Sequence, residues 1–130
     1  MNPKQFLTIG GVIVLLYGIV GFLVPDKPLL ADLLLFTGAE NIAHVLLGIV
    51  AIGAGLVLSP MLQRWLTAVV GITAIAFFVL GLIIQGAPPL NLNPANLELI
   101  DTIVHLTVGA WALYAAFRPM SAMQTVPAAA

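Results

Sequence analysis

Cysteine is absent from this chain, and charge is nearly so. Without a thiol there can be no disulfide, no Cys-ligated metal and no thiol nucleophile. Lys and Arg number four and Asp and Glu five in 130 residues, so 7% of the chain is charged. A soluble domain carries about 25% charged residues. Nine charges cannot cover a globule of this length, which excludes a lone soluble domain. Four scattered cations make no phosphate-tracking patch, which excludes a nucleic-acid partner. An apolar fraction of 62% excludes a disordered chain, which combines low hydrophobicity with high charge. There is no G-x-S-x-G, P-loop, H-E-x-x-H or Rossmann pattern. Too few polar residues remain for ordinary acid–base catalysis, so no enzymatic activity is expected.

What the chain does hold is apolar runs, over residues 6–24, 40–58, 65–84 and 98–117. Each approaches the ~20 residues that a helix needs to cross a ~30 Å hydrocarbon core. None alternates as a membrane-barrel strand would, and in lipid every backbone amide must be satisfied within its segment. The expectation is an all-α membrane protein, a bundle of four transmembrane helices. Residues 1–118 form its single domain and residues 119–130 a flexible C-terminal tail. The first run is too long for a signal-peptide core and no small-residue cleavage site follows it, so it reads as a retained span. Pro25 to Pro28, Ser59-Pro60, Gly86 to Pro89 and Arg118-Pro119 punctuate the runs. Thr37 with Glu40 reads as a capping box and Asn93-Pro94 as the start of the fourth helix. Residues 29–36 are apolar but too short to span, and read as a short helix at the interface or packed on the bundle. Lys4, Arg64 and Arg118 fall on one side of the membrane and Lys27 on the other. The positive-inside rule thus places both termini in the cytoplasm, with all five acids toward the outer face.

The chain also resembles itself. At a shift of 61 residues Glu40 falls on Asp101, Ile42 on Ile103, His44 on His105, Gly48 on Gly109 and Ala112 on Ala51. At a shift of 60, Gly11 falls on Gly71 and Gly21 on Gly81. The only two His of the chain come into register. Two helices per copy imply tandem helical hairpins of the same orientation, related by a parallel pseudo-twofold axis along the membrane normal. Spans two and four are expected to be neighbours across that axis.

Spans two and four each carry an acid, a His one turn deeper and a Gly one turn beyond that. These are Glu40, His44, Gly48 and Asp101, His105, Gly109. Residues four apart share a helix face. Polar groups in a bilayer are costly and point to function. His44 and His105 are therefore candidate axial ligands to haem or chlorophyll, with Glu40 and Asp101 as supporting partners that hold the imidazole tautomer. Alternatively the acid–His stripes form a proton or ion relay, or the imidazoles simply bond to neighbouring helices. Two His without further ligands exclude a zinc site. Gly11, Gly21, Gly48, Gly71, Gly81 and Gly109 are candidate packing positions, because small residues let helices approach closely in lipid.

Asn2-Pro3, the run GGVIVLLYGIVGF, ENIAHVLLG, and LNLNPANL with HLTVG resemble one family over roughly residues 2–118. This is domain-of-unknown-function family 4383, small four-span bacterial membrane proteins. The family pattern Asn-x-x-His-x-x-x-Gly matches Asn41, His44 and Gly48. In the second copy His105 and Gly109 match, but Thr102 replaces the Asn. The resemblance makes Asn41 a further candidate supporting residue and implies a four-helix membrane protein without a defined activity. The leading expectation is a non-enzymatic scaffold or accessory subunit in contact with the lipid bilayer and other membrane-complex subunits. Its setting would be a bacterial inner membrane or a thylakoid-type membrane.

Overall fold

Four helices make up the described part of the chain: α1 (Pro3–Leu23), α2 (Gly38–Val57), α3 (Pro60–Gln85) and α4 (Leu99–Phe117). The structure is a computed structural model and describes residues 1–24, 38–85 and 99–118. All four helices are long and apolar enough to cross a membrane, and no strand occurs among the described residues. The protein is a multi-pass, all-helical membrane protein. Thr37, Asn93-Pro94, residues 29–36 and the tail 119–130 lie outside the described residues, as do Asp26, Lys27, Asp32 and Glu98.

Local chemistry sets the helix ends. Asn2 caps α1: its side chain accepts from Gln5 N at 2.8 Å, and Gln5 Oε1 accepts from Asn2 N at 3.0 Å. Pro3 then occupies the first helical position, where its missing N–H costs nothing. α3 begins at Pro60, five residues earlier than the apolar run starting at Trp65 suggested. Charge at Arg64 bounds the apolar run but not the helix. Met, Leu, Gln and Arg are all good helix formers, and a long cationic side chain can reach the interface from within a helix. Pro60 thus ends α2 and opens α3 with only Leu58 and Ser59 between them. Gln63 closes this corner: its Nε2 donates to Gly55 O at 2.9 Å and to Leu58 O at 3.0 Å, carbonyls that the end of α2 leaves without partners.

The helices pair as two antiparallel hairpins, α1 with α2 and α3 with α4. The seam between hairpins runs through α1, which packs on α3 and α4. α2 and α4 do not pack against each other, which corrects the expected neighbourhood of spans two and four. Side-chain size decides this. Phe6 and Leu7 of α1 fill the space beside Ala112 and Ala115 of α4, with Leu66 and Val70 of α3 and Trp111 packed around them. The Phe6 and Trp111 rings meet edge-on at 4.9 Å, and the Trp111 indole N–H donates to Met1 Sδ at 2.9 Å. The antiparallel order carries Lys4, Arg64 and Arg118 to one end of the bundle and Glu40 and Asp101 to the other.

Candidate functional site

Each hairpin closes over its glycines. A Cβ at Gly48 would lie 2.7 Å from Leu15 Cα, and one at Gly109 would lie 2.7 Å from the Ile75 side chain. A Cβ at Gly11 would meet Ile52 at 2.9 Å, and one at Gly71 would meet Leu113 at 2.8 Å. Gly21 faces the Asn41 side chain and Gly81 faces Thr102, each with no room for a further carbon. These three contacts of the first hairpin each have a counterpart in the second, whereas the close contacts of Gly18 and Gly55 do not, since Phe78 and Ala116 stand at the matching positions. The displacement is 60 residues on the leading helix and 61 on the following one.

The two His keep the same correspondence. The Nδ1–H of His44 donates to the backbone carbonyl of Glu40 at 2.8 Å, and that of His105 to the carbonyl of Asp101 at 2.6 Å. A carbonyl can only accept, so a proton sits on Nδ1 and Nε2 is the nitrogen left for another partner. The acceptor is main-chain, and a residue of any type at position 40 or 101 would supply it. Tyr17 meets the His44 ring edge-on at 5.0 Å, and Phe77 lies tilted against His105 at 5.3 Å. Tyr17 and Phe77 are themselves 60 residues apart. Both His are half-buried, each held by an aromatic of its own hairpin. With α2 and α4 apart, the two imidazoles flank the bundle rather than share one face.

Asn41, one turn before His44, is 2% exposed, and its Oδ1 has no hydrogen-bond partner. Thr102, its counterpart in α4, is 1% exposed. Both fill the notch opposite a glycine, so a short polar side chain serves the packing at either position. Among the described residues, no three of His, Asp and Glu converge in a way that could hold a metal ion.

Sequence reasoning missed Gln63, whose bonds to α2 hold the corner between the hairpins. Its signal was a lone amide three residues after Pro60, within reach of the carbonyls that the end of α2 leaves open. It also missed the pairing of Tyr17 and Phe77 with the two His, although the 60-residue shift aligns them. No curated protein and no solved structure matches this chain. A family model described as a domain of unknown function, DUF4383, covers residues 4–118, and the chain belongs to that family.

Proposed function

We propose that the protein is a non-enzymatic membrane scaffold, an accessory subunit built from two tandem copies of one helical hairpin. The observation that carries this reading is the state of its two intramembrane imidazoles. Each is turned back onto its own helix, where it satisfies a backbone carbonyl and fills space beside an aromatic ring. The glycine seams and the Gln63 corner likewise use their chemistry to hold helices together. What remains outward is a broad apolar face, including Ile13, Leu16, Leu46, Val50, Ile72 and Ile83. Such a face suits lipid and the apolar helices of larger subunits. The distribution of Lys4, Arg64 and Arg118 supports both termini in the cytoplasm of a bacterial inner membrane or thylakoid-type membrane. Isolation from native membranes in mild detergent tests the reading. The expected result is stoichiometric co-purification of membrane subunits. A stable, colourless monomer without companions overturns it.

One observation favours a second reading. Nδ1 of each His is tied to a carbonyl, which leaves Nε2 as the nitrogen that a ligating imidazole would present. Because the rings flank the bundle, each would ligate a separate haem or chlorophyll rather than bracket one iron. A Soret or Q band in native protein, lost from the His44→Ala, His105→Ala double variant, would establish this reading and displace the first. Protein without either band ends it.

A further inference from the structure

At the positive end of the second hairpin a groove of about 300 Å³ opens between the start of α3 and the end of α4, lined by Met61, Arg64, Trp65, Ala68 and Phe117. Ala68 is buried and forms its floor, while Met61, Trp65 and Phe117 are exposed walls. The Arg64 guanidinium stands over the Phe117 ring, 6.0 Å from its centroid. Both described acids, Glu40 and Asp101, lie at the other end of the bundle. Arg64 therefore has a ring to rest on but no carboxylate among the described residues at its own end. The start of α3 adds positive potential from its dipole.

We infer that this groove is a site for an anionic phospholipid. The phosphate pairs with Arg64, whose fork of N–H donors matches its oxygens, and one acyl chain lies along Ala68, Met61 and Phe117. The place fits the ligand. Trp65 beside Arg64 is an aromatic and cationic pair at a span edge, the depth at which headgroups sit, and basic pockets between transmembrane helices bind anionic headgroups. A zwitterionic lipid brings its own cation to a rim where Arg64 faces no carboxylate among the described residues, so the groove discriminates between headgroups. This inference does not depend on the accessory role proposed above.

Native mass spectrometry of the full chain in detergent tests it, with phosphatidylglycerol and phosphatidylcholine of identical acyl chains as probes. The expected result is a preference for phosphatidylglycerol of about five- to tenfold, the scale of one cation facing a lipid of net negative rather than zero charge. Arg64→Gln abolishes the preference, whereas Lys4→Gln on α1 leaves it in place. Met61→Glu, which sets a like charge beside the headgroup while suiting the first turn of a helix, also abolishes it. Should Arg64→Gln lose its helical circular dichroism, Met61→Glu decides. Equal binding of the two lipids by the wild type overturns the inference. So does a preference that survives in a folded Arg64→Gln or in Met61→Glu.

Discussion

Gly48 shows how one atom sets the distance between two helices. The Cβ of any other residue there would press on the backbone of Leu15, which cannot swing aside as a flexible side chain can. The α1–α2 seam would have to open along its length. Gly53, five residues on in the same helix, has nothing within 4 Å of its would-be Cβ. The two glycines should therefore respond to Ala with opposite signs. Gly48→Ala is expected to destabilise by about 1–3 kcal/mol, the scale of overpacking. Gly53→Ala should stabilise by up to about 1 kcal/mol through helix propensity. Reversible unfolding in mixed detergent–SDS micelles, followed by circular dichroism, reads both. Equal and small effects would mean the seam is not set by Gly48. The i, i+4 spacing from His44 to Gly48 and from His105 to Gly109 was legible in the sequence. The repeat also set Gly48 apart from Gly53, since the 61-residue shift carries Gly48 onto Gly109 but Gly53 onto Tyr114. Which backbone Gly48 presses on was not legible, because lipid-facing residues are as apolar as seam residues.

At the scale of the element, the existence and type of the helices follow from the solvent. A run such as 6–24 has no other way to satisfy its backbone in lipid, and three of the four spans begin or end within a few residues of the apolar runs. The exception is the start of α3, where Arg64 interrupted the apolar run but not the helix. The tertiary closure of the corner was illegible for a different reason. Gln63 finds its acceptors on the preceding helix, at Gly55 and Leu58, and a partner eight residues back is not a periodic signal. The amide is 6% exposed, so its bonds have little competition from water. Gln63→Met keeps the volume and removes the donors. The expected cost is about 1–3 kcal/mol, the penalty for leaving buried carbonyls unpartnered. It should fall on α2, seen as faster amide exchange at Leu58 and through the last turn of that helix. Unchanged exchange there would assign Gln63 a surface role only.

The molecule as a whole is two closed hairpins joined along one limited seam, and that seam was the part least visible beforehand. Matching positions such as His44 with His105 show that the halves resemble each other, but internal similarity does not say which faces meet. The answer lies in bulk. Phe6 and Leu7 project where Ala112 and Ala115 leave room, and the Trp111 ring with its bond to Met1 caps that contact. The seam joins α1 to α3 and α4; α2 adds Ala54 to the same buried cluster and the acceptors of the Gln63 corner, and otherwise lies on the flank. Each hairpin, by contrast, is held by its own glycine contacts along most of its length. The hairpins should therefore separate more readily than either one opens. Residues 1–58 and 59–130, co-expressed as two chains, are expected to insert and purify as a complex. Phe6→Ala should weaken that association by about 3–5 kcal/mol, the range for truncating a buried aromatic. Each half should still keep its helical circular dichroism and its internal contacts. The cysteine-free background makes the readout direct. One Cys at Ile13 with one at Val104 labels separate hairpins, and one at Ile9 with one at Val50 labels a single hairpin, all four on exposed faces. Energy transfer between fluorophores should fall for the first pair and persist for the second. If Phe6→Ala abolishes transfer in both pairs, the hairpins are not independent units. If it abolishes neither, the seam does not rest on the Phe6–Trp111 contact.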